Sequence, residues 1–216
     1  MKIGIIGASG KVGKLVLEES IERGHEVTAI VRNASKLSSS NINILEKEIY
    51  DITSEDLKDL DVVVNAFGAP LGEEEPHVKA GRALIEALKE TDTRAIIVGG
   101  AGSLYVDEAQ TTKLMDTPEF SELFGPTAKG TSKGQSRNLE DLKASKGINW
   151  TFLSPSADFD AEGPKTKNYQ TGKDNLLFNS KGNSYVSYAD FAFALVDEIE
   201  NPQHKNERFT VVSEDN

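Results

Sequence analysis

Gly7, Gly10 and Gly13 stand three residues apart in the string Gly7-Ala8-Ser9-Gly10-Lys11-Val12-Gly13. An apolar, strand-like run (KIGII, 2–6) leads into it, and a helical pattern over 11–23 leads out of it. In that setting the string reads as a phosphate-binding turn. Gly7 permits the tight bend, Gly10 leaves room for a pyrophosphate to approach the backbone, and Gly13 lets the helix pack closely on the strand. The helix start then offers open N–H groups and a positive dipole end to the phosphates. Ser9 adds a hydroxyl and Lys11 a cation, with a simply solvated first-turn lysine as the alternative for Lys11. The competing reading of the whole string is a turn that merely joins strand to helix.

The end of the second strand decides which dinucleotide suits the turn. An NAD site places Asp or Glu there to accept from the ribose hydroxyls. This chain instead reads Ala29-Ile30-Val31-Arg32-Asn33. A carboxylate would repel a 2′-phosphate, whereas Arg32 offers it a fork of donors. Such a charge-assisted contact contributes about 1.5–3 kcal/mol. The expected cofactor is therefore NADP(H) rather than NAD(H); a solvated loop arginine is the other reading of Arg32.

Composition removes other chemistries. The chain has no cysteine, so disulfides, thiolate metal sites and a cysteine nucleophile are excluded. Its three histidines, His25, His77 and His204, lack metal-ligand spacing, and no metal site is expected. A net charge of −11 disfavours nucleic acid as a partner. No apolar run reaches the roughly 18 residues of a membrane span. The N-terminus lacks a small-residue cleavage site, so a cytoplasmic location is expected.

The elements that must hold these residues alternate. Strands are predicted at 2–6, 26–31, 42–45, 61–66, 94–98, 149–153 and 207–212. Helices are predicted at 11–23, 54–60, 76–90, 129–145 and 188–200. Alternation of this kind implies right-handed crossovers and a parallel sheet covered on both faces. The expected fold is α/β: a doubly wound, mostly parallel sheet in three layers, one domain over 1–216, with a small C-terminal substrate lobe. Residues 101–128 and 155–187 are read as its irregular, substrate-side segments. Phe159 and Tyr169 are candidates for the cleft wall, and Phe152 and Phe178 for the core. The acidic run Glu73-Glu74-Glu75 reads as a solvated helix start, where negative charge suits the dipole.

Taken in order, GASGKVG at 7–13, VRN at 31–33, Asp51-Ile52, NAFGAP at 65–70, LSPS at 153–156 and the C-terminal YADFAFALVDEIENP resemble the short-chain dehydrogenase/reductase superfamily in its atypical branch. The likeness covers essentially the whole chain. Within that branch it is similar to small bacterial NAD(P)H-binding proteins related to flavin and biliverdin reductases and to NmrA-like sensors, which carry a Rossmann fold. The resemblance implies that Asp51 and Ile52 border the adenine. It implies that Ala66, Phe67 and Gly68 line the groove beside the adenine ribose, and that Pro155 sits near the nicotinamide.

The superfamily's Tyr-x-x-x-Lys pair is missing from the helix before the sixth strand. The nearest spacing match is Lys129-Gly-Thr-Ser-Lys133, with lysine in the tyrosine's place. Ser103, Lys133 and Tyr105 remain as candidate catalytic or substrate-contacting groups. A reductase of flavin or bilin type needs few such groups, because positioning the cofactor supplies much of the catalysis. The expected activity is NADPH-dependent hydride transfer to a small conjugated, quinone-like or flavin-like acceptor, in a monomer or small homo-oligomer. A redox sensor that binds the cofactor without turnover is the alternative, and an NAD-dependent epimerase or dehydratase the third reading.

Overall fold

β-branched runs supply strands that can be buried on both faces. Four of them, β1 (Lys2–Ile6), β2 (Glu26–Val31), β3 (Asn43–Glu46) and β4 (Val62–Asn65), lie in the first third of the chain. The others are β5 (Arg94–Val98), β6 (Asn149–Ser154), β7 (Asp158–Asp160), β8 (Tyr169–Gly172), β9 (Tyr185–Ser187) and β10 (Glu207–Ser213). In the computed structural model, which describes residues 1–37 and 42–214, eight of these strands form one sheet in the order β3-β2-β1-β4-β5-β6-β10-β8. Every pairing in that sheet is parallel except β8 with β10.

Helices cover both faces. On one face α1 (Lys11–Glu22) packs against α6 (Tyr188–Glu200), burying Val16, Leu17, Phe191 and Leu195 over Ile3, Ile5 and Val64. On the other, α3 (Glu74–Leu88) packs against α5 (Ala128–Ala144), burying Leu84, Leu88, Leu139 and Leu142 over Val63, Ala95 and Trp150. The buried α3 positions Ala80, Leu84, Ala87 and Leu88 recur at helical spacing. Each fully buried leucine contributes about 1.5–3 kcal/mol. The result is a single-domain Rossmann-like α/β fold in three layers.

β1 has β2 on one side and β4 on the other. The chain direction through the sheet reverses at this point, and a crevice opens beyond the carboxyl ends of the two strands. Ile6 at the end of β1 pairs in register with Asn65 at the end of β4. The glycine turn and the loop after β4 therefore face each other across the crevice.

Several local expectations change. The short helix α2 spans only Ser54–Leu57, and its N-cap is Thr53, which forms a capping box with Asp56. Helix α3 begins two residues before Pro76, so Glu74 and Glu75 lie in its first turn. A further helix, α4 (Glu119–Phe124), forms in the segment expected to be irregular, and Phe120 anchors it in a satellite core with Leu104, Leu114 and Met115. The lobe expected at 155–187 contains three short strands. β8 extends the main sheet, and β7 pairs with β9 in a small sheet of its own.

Candidate functional site

A cleft of about 830 Å³ runs along the carboxyl ends of the strands from β2 to β6. Its floor is the glycine turn. Gly7 adopts φ +77°, and a Cβ there would lie 2.6 Å from the Ala66 carbonyl oxygen. A Cβ on Gly13 would fall inside contact distance of the Gly7 carbonyl oxygen. A larger residue at Gly13 forces the helix away from the turn, and one at Gly7 collides with the loop after β4. The Gly7 carbonyl accepts from Gly10 N at 2.8 Å, and Gly10 caps α1 without a side-chain hydrogen bond. The first-turn amides thus stay open toward the cleft, in the arrangement a diphosphate requires.

Gly7, Ser9, Gly10, Lys11 and Val12 line this floor, while Gly13 lies behind it, in helix-to-turn packing. Ala66, Phe67, Gly68 and Pro155 also line the cleft. The Asn65 carboxamide oxygen accepts from Phe67 N at 3.0 Å, which fixes the loop after β4.

The cleft's β2 end is cationic. Arg32 and Lys36 line it, Lys11 faces them from the turn, and none of the three side chains has a hydrogen bond or ion pair among the described residues. Neighbouring polar groups are already engaged. Asn33 accepts from Ser35 N at 2.9 Å, Glu46 accepts from Ala34 N at 2.8 Å, and Lys47 pairs with Asp56 at 2.6 Å. An arginine and two lysines are thus left open in a chain of net charge −11, and their donors are of the kind that suits an anion. Glu48 and Glu73 also line this end. Burial raises the Tyr50 hydroxyl pKa, and Glu48 and Glu73 act in the same direction against Arg32.

Asp51 and Ile52 are not in this wall. Ile52 is buried in the core beneath α3, and Asp51 is exposed at the end of a single turn of 3-10 helix over Ile49–Asp51. Glu48, Ile49 and Tyr50, up to three residues earlier, line the cleft instead. The signal was present in the sequence as an acid-plus-isoleucine pair, Glu48-Ile49, immediately after the third strand. Behind this wall Phe67 meets Tyr50 at 5.9 Å and His77 at 5.8 Å, both edge to face. Burial lowers the His77 pKa, so its ring is neutral at pH 7.

The β5–β6 end is apolar. Gly100, Ala101 and Gly102 form its floor, and Phe120, Phe124, Ala128, Ala157, Phe159 and Tyr188 its walls. The Phe159 and Tyr188 rings pack with centroids 4.0 Å apart, tilted by 43°. Helix α5 presents Ala128, Thr131, Ser132 and Gln135 to the cleft, at i, i+3, i+4 and i+7. Thr131 is committed, since its Oγ1 accepts from Gly72 N at 2.8 Å. Ser156 likewise donates to the Val211 carbonyl at 2.7 Å. The side chains of Ser132, Gln135 and Tyr188 have no hydrogen bond among the described residues, and they are the polar groups free to meet a ligand.

The expected catalytic pair is corrected. Lys133 is exposed on the outer side of α5, because one residue of helix turns it about 100° away from Ser132. Ser103 is 3% exposed and lies outside the cleft wall, its hydroxyl and carbonyl both held by Arg208. Tyr105 is held in a loop bridge to Lys113 and Asn175. Lys129 pairs with Asp116 at 3.5 Å. Among the aromatic candidates, Phe159 lines the cleft and Phe152 is fully buried, whereas Tyr169 donates to Asp197 away from the site. Phe178, expected in the core, is 59% exposed. Tyr188, Ser132 and Gln135 were missed, because nothing local in the sequence shows which side of a helix or loop will face a cleft.

Residues 7–202 match a family model described as NAD(P)H-binding. The Bacillus subtilis protein YwnB is 60% identical over 215 residues, covering 99% of each chain. Among solved structures, a candidate NADH-flavin reductase from Streptococcus pneumoniae superposes with a TM-score of 0.90 at 43% identity, covering 99% of this chain and 100% of the other. A candidate epimerase from Bacteroides thetaiotaomicron superposes with a TM-score of 0.88 at 34% identity, covering 100% of this chain and 98% of the other.

Proposed function

Because the chain belongs to the NAD(P)H-binding family, we propose that it is an NADPH-dependent oxidoreductase that delivers hydride to a flat conjugated acceptor of quinone or flavin type. The observation that carries the cofactor choice is the open cation group of Arg32, Lys36 and Lys11 at the β2 end of the cleft. The similarity to a candidate NADH-flavin reductase supports the reaction class. When bound, NADPH would supply the hydride and water the proton, so that the acceptor would leave in its dihydro form and the cofactor as NADP⁺.

The chain's own residues bind and orient. The α1 amides hold the diphosphate, and Arg32 holds the 2′-phosphate. Ile49, Tyr50 and Phe67 border the adenine, and Pro155 borders the nicotinamide. Phe120, Phe124 and Phe159 exclude water from the reacting face. Ser132, Gln135 and Tyr188 offer hydrogen bonds to an acceptor carbonyl. Burial raises the Tyr188 pKa, so at neutral pH its hydroxyl remains a donor.

One observation favours a second reading, a redox sensor that binds without turnover. The cleft face of α5 carries Ser132 and Gln135 and no ionisable acid. The two readings separate in one experiment, which follows NADPH oxidation over a panel of flavins, quinones and enals after titrating NADPH and NADH by fluorescence. Turnover with NADPH bound more tightly supports the reductase. Tight binding without turnover across the panel overturns it in favour of the sensor.

A further inference from the structure

The charges of the cleft are segregated. Its charged lining residues are Lys11, Arg32, Lys36, Lys47, Glu48 and Glu73, all contributed by segments between β1 and α3. Among the described residues, the segments from β5 onward contribute only uncharged ones. β2 and β6 lie four strand spacings apart in the sheet, roughly 19 Å at the usual spacing of about 4.8 Å. An anionic group bound at the β6 end is therefore beyond the reach of Arg32 and Lys36.

No nearby cation makes up the difference. Lys113 donates to Ser136 at 3.1 Å and faces Glu140 at 3.7 Å, Lys129 is paired with Asp116, and Lys133 points outward. The helix that carries Phe120 and Phe124 brings no cation either; its charged residues are the exposed Glu119 and Glu122. An anion moved from water into such a pocket loses hydration and gains no countercharge. What the pocket does offer is two aromatic walls, Phe120 with Phe124 (4.8 Å) and Phe159 with Tyr188 (4.0 Å), and three uncharged hydrogen-bonding groups. Planar rings suit the walls, and carbonyl oxygens suit the hydroxyls and the amide.

From this segregation we infer that the β5–β6 half of the cleft selects uncharged planar acceptors, such as unphosphorylated flavins and neutral quinones, and rejects phosphorylated, sulfonated or carboxylated ones. The inference rests on the cofactor reading above and adds the charge rule to it.

Binding to the NADP⁺-loaded protein tests it without requiring turnover. Riboflavin should bind at least about tenfold more tightly than FMN by quenching of flavin fluorescence, and a neutral naphthoquinone should outcompete its sulfonated analogue. Ala128 lines this half and is partly buried. Ala128→Lys should bring FMN to within about threefold of riboflavin, with NADP⁺ affinity unchanged. Equal or tighter binding of FMN by the parent overturns the charge rule, as does the absence of binding by both flavins. FMN that stays weak in a folded, NADP⁺-binding Ala128→Lys variant overturns it too. Failure of the protein to load with NADP⁺ strikes instead at the cofactor reading beneath it.

Discussion

Arg208 Nη1 donates to both oxygens of Ser103, to the carbonyl at 3.0 Å and to the hydroxyl at 2.9 Å. The same guanidinium binds the Asp174 carboxylate, with Nε at 2.8 Å and Nη2 at 2.6 Å. Strand β10 thereby anchors the 3-10 turn Ala101–Ser103, part of which forms the cleft floor. The role of Ser103 is to receive that anchor. Ser103→Ala should cost about 1 kcal/mol of stability and leave kcat within about twofold of the parent. Arg208→Met strands buried polar partners and should cost about 3–5 kcal/mol. Denaturant unfolding alongside NADPH oxidation measures both. A tenfold loss of kcat in Ser103→Ala at unchanged stability would return that serine to the chemistry.

The contact between α1 and the glycine turn makes a second prediction. Gly13→Ala puts a methyl group against the Gly7 carbonyl oxygen, and backbone cannot rotate aside as a side chain can. The helix must move outward, at a cost of about 1–3 kcal/mol. The amides at its start move with it. NADPH affinity should fall at least about tenfold, as read by nicotinamide fluorescence. An unchanged dissociation constant would mean that the diphosphate is held elsewhere.

Much of this geometry is legible in the sequence, because its causes are local. GASGKVG, VVVN and TFLS carry their own turn and strand chemistry, and α3 and α6 announce themselves by apolar spacing. The six-residue helix α4 has too few turns for a period to emerge. β8 reads as loop because its YQTG has no apolar alternation; it is a strand because the edge of β10 is open beside it. The β5–β6 end of the site is harder still. Gly102, Phe124, Ser132, Phe159 and Tyr188 come from five separate segments, and only tertiary packing brings them together. That Glu48-Ile49 rather than Asp51-Ile52 lines the cleft is a matter of register. Two acids three residues apart fit the same pattern, and the 3-10 turn between them decides which one faces the cleft.

Arg32 is exposed at the rim and is unpaired among the described residues, so changing it should leave the fold intact. Arg32→Glu exchanges a guanidinium for a carboxylate where the 2′-phosphate would lie. Loss of a charge-assisted contact of about 1.5–3 kcal/mol corresponds to roughly one to two decades. NADPH affinity should fall by that factor while NADH affinity changes little. Parallel titrations of the two cofactors report the ratio, and a ratio equal to the parent's would remove Arg32 from cofactor selection.

Glu198, 4% exposed, lies at the opposite end of the sheet from the cleft, where it pairs with Arg94 at the start of β5. Burial by itself would raise its pKa. The amide and ring of His204, the amide of Gln203 and the Arg94 guanidinium outweigh burial and hold the carboxyl below its ordinary value of 4.5. A carboxylate with a depressed folded-state pKa binds fewer protons folded than unfolded in that range. Its contribution is therefore complete above the ordinary value and is lost as pH falls toward the depressed one. Glu198→Gln should be less stable than the parent at pH 7 by about 3–5 kcal/mol, because Arg94 is left buried without its countercharge. Below pH 4.5 the unfolded parent takes up a proton at Glu198 that the folded parent does not, so the parent loses stability and the gap to the variant should narrow. Urea unfolding of both proteins from pH 7 down to about pH 3 follows that gap. A gap that stays constant across the range would show that the charge on Glu198 contributes nothing to the fold.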